Sequence, residues 1–303
     1  MKASYFITSD ETQIYFATNF NLDEEDEHEI ILLNYGLVCS NHHWRELIPF
    51  LHKKNYKVLI HDYRGHFQSD GKNNIERLTF KQFAIDLIEL CDAHRIKKVH
   101  AIGHSMGVNV TLELARLAPQ LVKSQTLISG TVLPITEIMF DSNAMSFVIP
   151  IVKKIVSKFK TQVDLFWKST GHNAIVREII HRQGFNYGNV SSEFIQIYLN
   201  RMSTLGPEVF FQLYDEMIKH DIICELETLT QPTLVIGGIQ DKVIPNHIQR
   251  LLQHSLPNSE LYLVEGGSHV PQIDFPELIN DRINLFLKLI DAKQTNSLIQ
   301  LEA

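Results

Sequence analysis

Cysteine is scarce, with Cys39, Cys91 and Cys224 the only three in 303 residues. An odd number at wide spacing builds no disulfide framework. Stability must come instead from a buried core, and a chain of this length is long enough to form one. Long hydrophobic runs are also missing. No stretch approaches the roughly 20 apolar residues that a bilayer span requires, and Met1-Lys2-Ala3-Ser4-Tyr5-Phe6 lacks the apolar region of a secretory signal. These absences lead us to expect a cytoplasmic protein. Basic charge is in deficit: Lys and Arg number 28 against 35 Asp and Glu, a net charge of −7. That balance argues against nucleic acid as a main partner, because phosphate binding needs a clustered positive surface. Metal-ligand spacing is absent despite fifteen histidines. His42 and His43 are adjacent and His61 and His66 flank a loop, but no His-Glu-x-x-His or Cys/His cluster occurs. We read the histidines as scattered surface and loop residues, and expect neither metal nor cofactor.

What is present is an alternation of strand-like and helix-like segments. Ala3 to Thr8 and Gln13 to Thr18 alternate apolar and polar residues across a turn at Ser9-Asp10-Glu11-Thr12, which predicts an opening hairpin. The acidic stretch Asp23 to Glu29 reads as a solvated loop. Ile30 to Leu33 and Val58 to Ile60 are continuous apolar runs, the mark of strands buried on both faces. Helices are expected around Trp44 to Lys53 and over Thr79 to His94, the latter from apolar positions at Phe80, Phe83, Ala84, Leu87, Ile88 and Cys91. A strand at Val99 to Gly103, a helix at Val108 to Leu117 and a strand at Leu121 to Ser129 follow. The alternation stops near Thr131 and resumes with a strand at Thr233 to Gly237, a helix at His247 to His254, a strand at Leu261 to Val264 and a helix from Pro276 to Ile290. This pattern predicts an α/β fold with a doubly wound, mostly parallel sheet. The expected organisation is a core over 1–130 and 222–291, a helical insertion over 131–221 and a frayed polar tail over 292–303.

In open α/β sheets, ligands bind beyond the carboxyl ends of the strands. Gly103-His104-Ser105-Met106-Gly107 stands there, between a strand and a helix, as a G-x-S-x-G nucleophile elbow. A serine hydroxyl is a weak nucleophile and needs a base. Asp241 follows the Leu234 strand in Gly237 to Pro245, and His269 follows the Leu263 strand in Glu265 to Val270. Each taken alone could be an ordinary loop residue. Their order after successive strands is the Ser, Asp, His order that an elbow requires.

With those residues in view, the chain resembles the α/β-hydrolase fold superfamily, in its lid-bearing group of esterases, lipases, C–C bond hydrolases and haloperoxidase-like enzymes. Four segments carry the resemblance: the elbow; Asp62-Tyr63-Arg64-Gly65-His66-Phe67-Gln68-Ser69, similar to an Asp-x-Arg-Gly-x-Gly-x-Ser loop; Asp241 to Pro245; and Gly267-Ser268-His269 with Pro276-Glu277. The resemblance implies Ser105 as nucleophile, His269 as general base and acid, and Asp241 as the residue orienting it. It implies an oxyanion hole from the backbone N–H groups of Met106 and of Leu37, in the loop Asn34-Tyr35-Gly36-Leu37. Three departures stand out. Tyr35 replaces the usual His of that loop, Phe67 replaces a frequent Gly, and Val108 replaces a second Gly after the elbow. Arg64 reads as a structural hydrogen-bonding residue in preference to a substrate clamp.

The resemblance assigns the 131–221 insertion to a lid. It carries Phe140, Phe147, Phe159, Phe166, Phe185, Phe194, Phe210, Phe211 and Trp167, which suggests an apolar pocket above Ser105 and a moderately hydrophobic substrate. Val148, Ile151, Val152, Ile155 and Phe159 form a stripe beside Lys153, Lys154, Lys158 and Lys160. A membrane-surface helix is conceivable there, but a lid helix with solvated lysines is preferred. The expected activity is hydrolysis of a carboxylic ester, thioester or lactone. A C–C bond hydrolase, an acyltransferase and a non-catalytic small-molecule receptor are the alternatives. Epoxide hydrolases and haloalkane dehalogenases are disfavoured, since they place Asp at the position of Ser105.

Overall fold

Residues with continuous apolar character form the centre of one sheet. The computed structural model describes residues 1–22, 28–134, 158–171, 173–174, 176–178, 185 and 188–301, with 294–301 as backbone only. Its strands are β1 (Lys2–Ile7), β2 (Gln13–Thr18), β3 (His28–Asn34), β4 (Val58–His61), β5 (Ile96–His104), β6 (Val122–Ile128), β7 (Thr233–Gly238) and β8 (Ser259–Val264). They lie in the order β1-β2-β4-β3-β5-β6-β7-β8. The β1–β2 hairpin is antiparallel and β2 runs antiparallel to β4, while every later pair is parallel. The largely exposed β1 closes one edge, and the fully buried β4 and β7 sit inside the sheet, as runs such as Val-Leu-Ile require.

The core helices are α1 (Leu47–Lys53), α2 (Phe80–Ala93) and α3 (Met106–Leu117). Thr79 starts α2 by accepting a hydrogen bond from the Gln82 N–H at 3.1 Å. Chain order leaves β3 for β4 on one side and returns to β5 on the other. The carboxyl ends of β3 and β5 therefore border the switch point of the sheet, where a crevice opens.

Between β6 and β7 the described residues hold three long helices and no strand: α4 (Lys160–Thr170), α5 (Ser192–Leu205) and α6 (Pro207–Lys219). Gly206, at φ +88°, breaks α5 from α6, and Pro207 opens α6. Phe140, Phe147 and the stripe from Val148 to Ile155 lie outside the described residues. Phe159, the last member of that stripe, is exposed. After β7 come α7 (Asn246–Ser255), the short α8 (Pro271–Asp274) and α9 (Pro276–Leu301). No helix among the described residues is long and apolar enough to cross a membrane.

Three expectations change. The helix expected from Trp44 splits into a 3₁₀ turn at Asn41–Trp44 and α1. Pro49 has no N–H to give to the preceding turn, so the α-helix starts just before it. The last helix does not end at Ile290: α9 continues to Leu301 through 292–301, expected to fray, because no Gly or Pro follows Pro276. Among the described residues, the histidines are not mainly surface residues. His28, His43, His61, His66, His100, His104 and His220 are all buried. Several meet another ring, His43 stacked on His104 and His61 and His220 edge-on to Tyr63 and Phe80, which apolar periodicity does not register.

Candidate active site

Ser105 occupies the turn between β5 and α3 with φ 53° and ψ −121°. A non-glycine residue rarely adopts this conformation, and the surroundings must enforce it. Gly107 shows how tight they are, since a Cβ there would lie 2.1 Å from the Asn34 carbonyl oxygen. Below the turn runs a polar chain. His61 Nε2 meets Asn34 Oδ1 at 2.9 Å, the Asn34 amide donates to Thr111 Oγ1 at 2.9 Å, and Thr111 donates to the Gly107 carbonyl at 2.8 Å. This chain ties β4 and β3 to the first turn of α3.

The loops after β7 and β8 bring Asp241 and His269 to the same edge. The Gln240 N–H donates to the Gly267 carbonyl at 2.8 Å and joins the two loops. Asp241 Oδ1 accepts the N–H groups of Val243 at 2.8 Å and Ile244 at 2.9 Å. Its Oδ2 lies 2.9 Å from His269 Nδ1, and His269 Nε2 lies 3.0 Å from Ser105 Oγ. The Asp241 side chain is 1% exposed and that of His269 13%. One oxygen of the acid is thus held by main chain while the other faces the ring. The Asp274 carboxylate accepts the Ser268 N–H at 2.6 Å and steadies the histidine loop.

Leu37 follows β3 and Met106 follows Ser105. Among the described residues neither N–H donates to a protein acceptor. Tyr35 is fully buried. Its hydroxyl donates to Asp62 Oδ1 and accepts the Tyr63 N–H, both at 3.3 Å, while the Tyr63 hydroxyl donates back to the Tyr35 carbonyl at 3.0 Å. The loop that presents Leu37 is therefore anchored by a tyrosine pair. Burial raises Asp62 to about 6, offset in part by the Gln68 N–H. Val108 is accommodated by Gly130, where a Cβ would stand 2.4 Å from the Val108 Cβ. Phe67 adopts φ 33°, a backbone that favours glycine, and the Arg201 guanidinium from α5 covers its ring at 4.9 Å. Arg64 serves structure: it grips Asp86 at 2.7 and 2.5 Å and Asp10 at 2.9 and 3.3 Å.

The sequence reading overlooked two histidines beside the site. The His104 ring lies 5.1 Å from that of His269 and stacks on His43 at 5.9 Å. His43 packs against Phe194 and Tyr198 of α5. Phe185, Phe194, Ile195 and Leu199 cluster with Val270 and Ile273, so α5 covers the residues flanking His269. The position of His104 inside the elbow was the available signal. Glu29, His100 and Asp291 hold donor atoms close enough for an ion. The Lys123 ammonium already bridges both carboxylates there, at 2.5 and 2.8 Å.

Residues 29–164 match the sequence family described as alpha/beta hydrolase fold. A protein of Agrobacterium fabrum named "Putative carbamate hydrolase RutD" is 27% identical over 273 residues, which are 88% of this chain and 94% of that protein. "Uncharacterized hydrolase YugF" of Bacillus subtilis is 25% identical over 258 residues, 84% of this chain and 88% of its own. Among solved structures, a thermophilic esterase from Thermogutta terrifontis superposes with a TM-score of 0.72 at 19% identity, over 96% of this chain and 99% of its own.

Proposed function

We propose that the chain is a member of the alpha/beta hydrolase fold superfamily and a serine hydrolase cleaving a carboxylic ester, thioester or lactone of a moderately hydrophobic small molecule through an acyl-enzyme. One observation carries this reading: the line from Asp241 Oδ2 through His269 to the Ser105 hydroxyl, with separations of 2.9 and 3.0 Å, ends on a serine in a strained turn.

In this reading Ser105 Oγ attacks the substrate carbonyl as His269 Nε2 takes its proton. Asp241 holds Nδ1–H and stabilises the imidazolium that forms. The N–H groups of Leu37 and Met106 receive the oxyanion, whose charge develops only in the transition state. His269 then protonates the leaving group, and water repeats the sequence to release the acid. Each step is accomplished by protein groups and water, so the mechanism calls for no cofactor. We take the 131–221 segment as the lid. Its Phe185 and Phe194, gathered against Val270 and Ile273, support an apolar acyl or alkyl group. A cytoplasmic address, expected from cysteine usage and the lack of apolar runs, belongs to the same proposal. The name of the Agrobacterium relative favours a second reading, cleavage of a carbamate, which begins with the same attack on a carbonyl.

The test is turnover of p-nitrophenyl esters from acetate to long acyl chains, and of p-nitrophenyl N-alkylcarbamates, by wild type and Ser105→Ala. The variant should lose about 10³-fold or more of kcat. A preferred chain length would size the pocket, and preference for the carbamates would favour the second reading. Equal rates for folded wild type and variant would overturn both.

A further inference from the structure

We infer that His104 is a positioning residue for the base His269, an assignment that rests on the serine-hydrolase reading above. His104 immediately precedes Ser105, and its ring is buried. Its Nε2 lies 2.9 Å from the main-chain carbonyl oxygen of His269, 165 residues away in sequence. A carbonyl oxygen only accepts, so Nε2 carries the hydrogen and donates it. His269 in turn reaches back to Ser105 at 3.0 Å. Two adjacent residues and two hydrogen bonds thus close a small circuit: Ser105, His104, the His269 main chain, the His269 ring, and Ser105 again. A circuit of this kind sets the separation between nucleophile and base. The first tether acts on the backbone that carries the ring, the second on the ring itself.

The remaining surroundings of His104 hold its ring in place. Nδ1 has no hydrogen-bond partner and faces the oxyanion loop, 3.2 Å from where a Cβ on Gly36 would stand. His43 stacks on the ring with planes 20° apart, and the Trp44 indole meets it edge-on at 6.4 Å. Elbow, oxyanion loop and histidine loop therefore converge on one side chain that touches no reacting atom. Burial, followed by the neighbouring imidazoles of His269 and His43, holds the ring far below its ordinary titration range. It stays a neutral donor beside a base that must become a cation.

Glutamine and methionine have similar length and volume, and only glutamine carries a donor where Nε2 stands. His104→Gln and His104→Met are therefore a matched pair. The best p-nitrophenyl substrate gives kcat and KM separately, and a fluorophosphonate gives the labelling rate of Ser105. His104→Met should lose about 10-fold or more in kcat with KM within about threefold, since small misplacement of reacting groups is costly. His104→Gln should return kcat to within about threefold of wild type. Equal kcat in the two variants, or a loss confined to KM, would overturn the assignment. If His104→Met does not fold, a folded His104→Gln that has lost more than about 10-fold in kcat overturns it, and near-wild-type kcat supports it. If wild type turns over no substrate of the panel but Ser105 is labelled, the same order is expected in labelling rates, and equal rates overturn it. Wild type that shows neither turnover nor labelling removes the hydrolase reading, and this assignment with it.

Discussion

Burial sets the charge of individual imidazoles in this protein. It pushes His43 and His61 down to about 3, His66 down to about 4, and His104 further below its ordinary value. When unfolded, each ring takes up a proton near its ordinary value of about 6.5. The unfolded state therefore binds more protons over the interval from about 6.5 down to about 4, and stability present above that interval falls as the pH drops through it. Asp62, raised to about 6, acts in the opposite sense. Its contribution is complete below the ordinary carboxylate range and disappears as the pH rises through 6. Burial also raises Asp86 and Glu216 and lowers His42, so five rings stand against three carboxyls and the net expectation is loss of stability on acidification. The urea midpoint should fall clearly between about pH 7 and about pH 5, above the ordinary carboxylate range. An unchanged midpoint over that span would mean that these rings are protonated in the folded protein.

At the scale of elements, the segment between β6 and β7 is held at both ends by one side chain of the helix that follows Ser105. The Asn109 amide donates to the Thr131 carbonyl at 2.9 Å and reaches His220 Nδ1 at 3.1 Å. His220 Nε2 then meets Glu113 Oε1, also on α3, at 2.8 Å. Both ends of a segment of some 90 residues therefore report to two adjacent turns of α3. Removing the amide leaves buried polar groups without a partner, which costs about 1–3 kcal/mol. Asn109→Ala should lower stability by that amount and speed tryptic cleavage within 131–221. Limited proteolysis followed by mass spectrometry checks this, and an unchanged cleavage rate would count against the clasp. The packing of α5 on Val270 and Ile273 gives the same segment a second hold, at the histidine loop.

Over the whole molecule, the Arg64 guanidinium is one long-range tie outside the sheet ladders. It joins the loop after β4 to Asp86 on α2 and to Asp10 in the β1–β2 turn, where Arg77 also pairs with Asp10. Arg64 and Asp86 are buried, and Asp10 is partly exposed. Hydrogen bonding from Arg64 holds Asp10 below the usual carboxylate range, whereas burial raises Asp86 against the pull of the same guanidinium. Removing Asp86 leaves the buried guanidinium with the partly exposed Asp10 as its remaining carboxylate, and breaking such a buried pair costs up to about 3–5 kcal/mol. Asp86→Ala should be destabilised by about that much in urea unfolding. The tie lies after β4, at the carboxyl-terminal edge of the sheet, but its partners Asp10 and Asp86 are not among Ser105, Asp241 and His269, so any residual folded fraction should keep its KM.

Chain order and local turn chemistry were legible in the sequence. Alternating strand and helix patterns require a parallel sheet, and strand-turn-helix around Ser105, with Asp241 and His269 after later strands, brings those three residues to one edge. Each signal is local, since a periodic run or a glycine-bracketed serine shows within a dozen residues. What surrounds them was decided only by the tertiary structure. Tyr35 anchors its loop through Asp62 and Tyr63, 27 and 28 positions away. Val108 fits because Gly130 leaves it room. His104 meets a carbonyl 165 positions along the chain. Periodicity reports how often a side chain turns toward the core, not which partner waits there. A buried neutral histidine therefore looks the same in sequence as an exposed one, until packing brings its neighbours together and removes the water.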